Sequence, residues 1–350
     1  MPRRDPSPSS SAMRPRRATR VRRVSALAAV AFCWAAVLPA AAHTEAETAE
    51  AAGAPTAQAV QVSNGNELRT ALANALPGQV IQLVDGTYSG NFKINRPGER
   101  QNRIILTGSS RAVLTPTSGG GNGLHLDRAS HWTIHGITLS GGQKGIMVDA
   151  SDYVVVDGVT VHDLTMEGIH YRNSSSHGTV KNSTIFDTGQ DGRGMGEGVY
   201  IGSANTLNDR SDHVKILDNV IGPDVRGENI DIKEGTTGGL ISGNFFDGGG
   251  LTNANYDDSW VDVKGNGYVI ENNRGVNTLK DGYQVRSQQP GWGCGTVFRG
   301  NHSDLRGAGG SNRYAIQVTN HHPQSCPVTI GAGNTVTGGD GLVNPGVPVG

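Results

Sequence analysis

Asn229-Ile230-Asp231-Ile232-Lys233 is followed, 31 residues later, by Trp260-Val261-Asp262-Val263-Lys264. In each segment two apolar residues alternate with an aspartate and a lysine, the period of a strand with one face inward. A single strand of this kind describes only the exposed side of a sheet. The pattern recurs, however. Five residues, the first usually small or polar, then apolar, variable, apolar, variable, appear as GLHLD (123), GIMVD (145), GIHYR (168), GVYIG (198), NIDIK (229), WVDVK (260), GYQVR (282) and AIQVT (315), at intervals of 22, 23, 30, 31, 31, 22 and 33 residues.

Each interval contains a second strand pattern, among them WTIHGITL, YVVVDGVTV, GTVKNSTIF, HVKILDNVI, GLISGNFF and GYVIENNRGV. Several of these strands bend at an asparagine: Asn182, Asn219, Asn244, Asn273, Asn301 and Asn334. Hairpins reverse over much shorter spans and would not return one pattern in one order. Short strands repeating every 22 or more residues describe a chain that coils. The sequence therefore predicts an all-β, right-handed parallel β-helix, with coils about 4.8 Å apart, apolar residues filling the bore and bend asparagines bonding from coil to coil.

The segment 66–76, NELRTALANAL, places Leu68, Leu72 and Leu76 with Ala71 and Ala75 on one helical face and stops at Pro77-Gly78. It predicts a short helix closing the first coil, whose apolar end and strand edge would otherwise be open. QVIQLVDGTYSG (79–90) and RIILTGSS (103–110) then begin the stack. Cys294 and Cys326 each precede the last apolar residue of their strands by four positions, so their 32-residue separation is one coil. Equivalent positions on adjacent coils lie within disulfide reach, and a bond between them is expected.

Ahead of this domain the chain reads as processing sequence. Arginines from Arg14 to Arg23, an apolar run from Val24 to Leu38 and Ala40-Ala41-Ala42 before His43 form the pattern of an export signal over 1–42, with Arg22-Arg23 compatible with twin-arginine as well as general export. The uncharged run, about 15 residues, is shorter than the roughly 20 of a membrane span. Residues 43–58 read as a disordered leader, and 59–350 as the single catalytic domain. Without 1–42 the chain holds 22 basic and 30 acidic residues, a net charge of −8. That balance argues against a nucleic-acid partner, and a secreted monomer with no membrane partner is expected.

Stacking the coils aligns the variable positions. One column reads His125, Met147, His170, Tyr200, Asp231, Asp262, Gln284, Gln317, and the column two residues later contains Arg172, Gly202, Lys233, Lys264 and Arg286. Glu167, Glu197, Glu228, Asp257-Asp258 and Asp281 precede the same strands. Lys233, Lys264 and Arg286 on consecutive coils would repel one another by about 3 kcal/mol per pair at an effective dielectric of 20, lowering the pKa of Lys264 before nearby carboxylates offset it. Short connections after Ile232 and Val263, flanked by the longer SANTLNDRSDH (203–213) and SQQPGWGC (287–294), outline a groove over those lysines suited to an extended polymer. Tyr200, Tyr256 and Trp292 are candidates to stack on sugars, whereas Trp260 is expected to pack in the core.

A basic column, carboxylates and a long groove suit β-elimination on a uronate polysaccharide. The reaction needs a base for the C5 proton, a cation to neutralise the adjacent carboxylate, and a proton for the leaving O4 oxygen. From residue 59 onward the chain resembles the pectate-lyase-like β-helix superfamily. SNGNELRTALANALPGQVIQLVDGTYSG (63–90) is similar to the opening of the alginate lyase and chondroitinase B family, polysaccharide lyase family 6, and DVKGNGYVIENN (262–273) followed by GYQVR (282–286) resembles its catalytic stretch.

That resemblance implies Lys264 as base and Arg286 as acid or carboxylate partner. It also implies calcium held by residues seven and five before the lysine. Here those are Asp257 and Ser259, with Asp258 between them, so Glu228 or Asp231 of the preceding coil would have to complete a hard oxygen site. Lys233, beside Glu228, Asp231 and Glu234, is the competing base. Arg172, His170, Tyr200, Asp262, Gln284 and Trp292 are candidate substrate contacts. Two other classes remain on the same scaffold: a glycoside hydrolase using Asp231 and Asp262 or Asp257 and Asp258, and a non-catalytic carbohydrate-binding β-helix.

Overall fold

The computed structural model describes residues 59–117, 120–319 and 321–350. The expected export signal and leader lie outside the described residues. Three parallel sheets of eleven, ten and ten strands run the length of the domain, and within each sheet every strand pairs with its equivalent one coil away. All eight recurring segments fall in one ten-stranded sheet, where Phe92–Ile94 and Gly341–Val343 complete the ends. This is the expected right-handed parallel β-helix.

Each full coil contains three strands, one more than the sequence pattern suggested. WTIHGITL divides into Trp132–His135 and Thr138–Ser140 because Gly136 between them has φ +75°. Equivalent breaks occur at Asn182, Gly243 and Asn272, all in the left-handed region that turns the chain onto the next face. The residue after the break forms the ladder. Asn219 Nδ2 donates to Asn244 Oδ1 at 3.0 Å, Asn244 to Asn273 at 2.9 Å, Asn273 to Asn301 at 3.0 Å and Asn301 to Asn334 at 2.9 Å. Asn182, expected in that ladder, occupies the break itself, and Ser183 heads the row by donating its backbone N–H to Asn219 Oδ1.

Aliphatic side chains from all three sheets fill the bore, and Ile230, Ile232, Val261, Val263 and Ile270 are inaccessible to solvent. Trp260 lies in the core as expected, its Nε1 donating to Val276 O at 2.9 Å. A Cβ on Gly275 would lie 2.5 Å from the Trp260 ring, so the side-chain-free position makes room for the indole. The capping helix runs Gly65–Ala73, and its N-cap is Asn64, whose side chain accepts from the Asn66 and Glu67 amides. Leu68, Ala71 and Leu72 are buried by it, while Leu76 lies beyond the helix end and is 68 % exposed. Cys294 and Cys326 form the disulfide, with Cα atoms 4.6 Å apart. Among the described residues no helix is long and apolar enough to cross a membrane.

Candidate active site

Four neighbouring strands of the recurring sheet, Val199–Ile201, Ile230–Ile232, Ser259–Val263 and Asp281–Val285, place Tyr200, Asp231, Asp262 and Gln284 in one register. The ladder continues past the strand ends. The amides of Lys233, Lys264 and Arg286 donate to the carbonyls of Ile201, Ile232 and Val263 at 2.9, 2.8 and 2.9 Å. Each basic residue therefore stands two positions beyond an acidic or amide residue and directs its side chain to the same face.

The cations alternate with carboxylates instead of facing one another. Lys264 Nζ donates to Asp231 Oδ1 of the preceding coil at 2.8 Å and to Asp262 Oδ2 of its own strand at 2.7 Å. Lys233 Nζ lies 2.5 Å from Asp231 Oδ2, and Arg286 Nε lies 3.4 Å from Asp262 Oδ2. Both aspartates are 2 % exposed, and the side chains of Lys264, Lys233 and Arg286 are 5, 15 and 22 % exposed.

The expected lowering of the Lys264 pKa is reversed. Burial acts against the charge, but Asp231 and Asp262 outweigh it, and the ammonium is held above its ordinary value. Lys233 is raised for the same reason, with Asp231 the main partner opposing burial. Asp231 is correspondingly lowered, because Lys264 and Lys233 overcome its desolvation.

Glu197, Glu228 and Asp231 present oxygens that all lie within 4.8 Å of one another, each residue buried. Glu197 Oε2 and Asp262 Oδ1 are buried without a hydrogen-bond partner. Burial, then the charges of Asp231 and Glu167, push Glu197 up to about 8, and burial with Asp231 raises Glu228 well above its ordinary range. Glu197 was visible in the sequence as the residue one coil before Glu228, yet nothing in the linear pattern distinguished it from Glu167.

Tyr200 stands beside this group. Its ring lies 5.1 Å from Lys233 Nζ and 4.2 Å from the ring of His170. Burial first, then Asp231 and Glu197, hold its phenol above the ordinary value. His170 is buried, its Nε2–H donating to Gly202 O at 2.9 Å and its Nδ1 accepting from Lys144 Nζ at 3.3 Å. Lys144 also binds Glu167 at 2.8 Å. His170 thus supports Tyr200 from behind. Arg172, in the basic column with Gly202 between it and Lys233, binds Asp149 through Nε at 2.6 Å.

The remaining candidates separate. Asp257 is fully buried and accepts from Thr252 N and Oγ1, Asn253 N and Asn255 N at 2.7–3.1 Å, so its carboxylate closes its own loop. Asp258 accepts from Gln284 Nε2 at 2.5 Å, and Gln284 Oε1 in turn accepts from Arg286 Nε at 2.8 Å and from Arg286 Nη2. Gln284 therefore braces Arg286. Trp292 is half-buried, and the Arg210 guanidinium lies 6.0 Å from the centroid of its indole. Tyr256 is exposed.

A family model described as the right-handed β-helix region matches residues 122–208. An alginate lyase from Paenibacillus sp. str. FPU-7 superposes with a TM-score of 0.76 and 36 % identity, covering 83 % of this chain and 98 % of that one. The pectate lyase Pel9A superposes at 0.59 with 14 % identity, over 82 % of this chain and 79 % of its own. The family 6 alginate lyase AlyGC reaches 0.45 with 18 % identity, over 79 % of this chain and 43 % of its own, a likeness that transfers no residue roles. No curated protein matches the sequence.

Proposed function

The chain belongs to the right-handed β-helix family of the Paenibacillus alginate lyase, and from that membership we propose that it is a secreted polysaccharide lyase cleaving alginate or a closely related polyuronate by β-elimination. The observation that carries the reading is the alternating row Lys233, Asp231, Lys264, Asp262, Arg286 beside Tyr200. Elimination removes the C5 proton, forms the C4–C5 double bond and expels the O4 oxygen, which takes up a proton.

Lys264 is poorly placed to be the base. Its ammonium is almost completely covered and committed to two carboxylates, so we assign it to holding Asp231 and Asp262 in place. Lys233 reaches further into solvent, and the carboxylate beside it keeps it protonated, which suits it to donate the proton to O4. Tyr200, whose ring lies 5.1 Å from that ammonium, is assigned the C5 proton; because burial, Asp231 and Glu197 hold its phenol neutral, it acts as base only after its own proton has left to solvent. Arg286, braced by Gln284 and Asp262, is assigned the substrate carboxylate.

Glu197 and Glu228 fit a hard divalent cation such as calcium better than Asp257 and Asp258 do. Their oxygens converge within 4.8 Å beside Asp231 and Glu197 Oε2 lacks a partner, whereas Asp231 is shared between Lys233 and Lys264, Asp257 is held by its own loop and Asp258 by Gln284. Such an ion would offset the carboxylates that hold the Tyr200 proton on and would attract the substrate carboxylate. The hydrolase alternative on Asp231 and Asp262 is disfavoured, because Lys264 and Lys233 keep the Asp231 proton off and Lys264 bonds both carboxylates.

The test is to offer the purified protein alginate and the same polymer with its carboxyl groups reduced to alcohols. Cleavage of the first alone is the expected result, since elimination needs the carboxylate to acidify C5. Equal cleavage of both would reject the proposal.

A further inference from the structure

The two longest connections that leave the recurring strands, after Ile201 and after Val285, belong to different coils and meet each other. The first, following Ile201, is rigid at its base. Asp209 accepts from Ser203 Oγ at 2.6 Å, from Ser211 Oγ at 2.7 Å and from the amides of Asn173 and Ser174 at 2.9 and 2.8 Å. This connection presses on Gly235, two residues after Lys233, so closely that a Cβ there would lie 2.9 Å from Asp209 O.

The second connection, following Val285, rests on the turn after Lys264. Gly293 N donates to Lys264 O at 2.9 Å, and the Asn266 side chain bonds Gly291 O and Cys294 N, both at 2.9 Å. The Cys294–Cys326 disulfide fixes its far end. Each connection is therefore anchored against the turn that follows one of the two lysines. Arg210 of the first and Trp292 of the second close the wall between them.

Arg210 is only partly used within the protein. One edge of the guanidinium faces Asp212, with contacts of 3.1 and 3.2 Å, and half of the side-chain surface is exposed. A planar fork of donors against an indole offers both elements that a uronic acid residue requires: a bidentate partner for its carboxylate and an apolar face for its ring.

We infer that Arg210 and Trp292 form a uronate-binding subsite for a sugar of the same polymer chain that flanks the reacting sugar. The inference rests on the lyase reading above and adds a residue, Arg210, that the elimination itself does not use. The two-loop construction gives the subsite a fixed position relative to Lys233 and Lys264.

The experiment is calorimetric titration of a Tyr200→Phe background, silenced for turnover, with an alginate hexasaccharide and with its methyl-esterified counterpart. Adding Arg210→Ala to that background is expected to weaken binding of the acidic oligosaccharide about tenfold, the loss of roughly one charged hydrogen bond, and to leave the ester unchanged. Arg210→Lys recovers only part of the loss, and Trp292→Ala weakens both ligands. Equal weakening of acid and ester by Arg210→Ala, or no weakening of either, overturns the subsite and leaves the pair as a clasp between loops. Strong binding with no turnover by the wild-type protein rejects the lyase reading while retaining the subsite. Failure of the Tyr200→Phe parent to bind either ligand rejects both.

Discussion

Lys264 and Asp231 lie on adjacent coils, and the 2.8 Å bond between them joins two charges that are almost wholly removed from water. Asp231 accepts Lys233 on its other oxygen, and Lys264 holds Asp262 with its other contact, so every charge in the row is shared. Buried ions keep their charge only while such sharing is complete, which makes the row sensitive to the loss of any member.

Lys264 and Lys233 are therefore expected to differ in what their removal costs. Lys264→Met leaves buried Asp231 with Lys233 alone and buried Asp262 with the more distant Arg286 alone, a loss of about 3–5 kcal/mol. Thermal unfolding should register it as a fall in Tm of roughly 10 °C. Lys233→Met removes a less buried ammonium and leaves Asp231 its bond to Lys264, so it should lower Tm much less, while reducing turnover on alginate by about 10²-fold or more. Equal destabilisation with equal loss of turnover would remove the distinction drawn between the two lysines.

Tyr200→Phe removes one oxygen and leaves the packing against His170 in place. A fall in kcat of about 10²–10⁴ with KM and Tm near wild type is predicted, as for loss of a proton-transfer group. Steady-state kinetics on polymeric alginate supply the check, and a KM effect without a kcat effect would make Tyr200 a binding residue.

The buried glutamates beside Tyr200 make stability depend on pH. The Glu197 pKa rises on folding from 4.5 to about 8, so the stability associated with its neutral form is fully present below pH 4.5 and is lost as pH rises towards 8; Glu228 acts in the same direction. Glu167 is opposite in sign. Its pKa falls from 4.5 to about 2, so its contribution is present above pH 4.5 and lost below it. Between pH 5 and 8 Tm should fall in chelator, and calcium should reverse much of that fall. A Glu197→Gln variant should lose most of the calcium response. Calorimetric scans across this range, with and without the ion, measure both effects.

The asparagine ladder is predicted to stabilise without affecting chemistry. Asn244 accepts from Asn219 and donates to Asn273 and to Ile216 O, so Asn244→Ala leaves several buried groups unpaired, each costing about 1–3 kcal/mol. Denaturant midpoints should fall while kcat of the folded fraction is unchanged.

The register of this site was legible because strand period and coil length are both carried by apolar residues. Ile230, Ile232, Val261 and Val263 must face the bore, which leaves Asp231, Asp262, Lys233 and Lys264 only one face to share. The Cys294–Cys326 bond followed from the same alignment. What escaped was contact across coils and inside loops. Asp257 was offered as a metal ligand by its place seven residues before Lys264, and the hydrogen bonds it accepts from Thr252, Asn253 and Asn255 belong to a loop conformation with no linear signature. The Lys264 pKa was expected to fall because the stacked cations were visible, whereas the bond to Asp231 depends on burial that the walls and neighbours create together. The third strand of each coil was hidden because a single left-handed residue, such as Asn272, interrupts an otherwise continuous apolar pattern.

Elimination is tested by counting products two ways on one alginate digest: ultraviolet absorbance of the unsaturated uronate and reducing-end assay. One unsaturated end is expected for every new reducing end, with both signals abolished in Tyr200→Phe. New reducing ends without the absorbance would contradict it and identify hydrolysis.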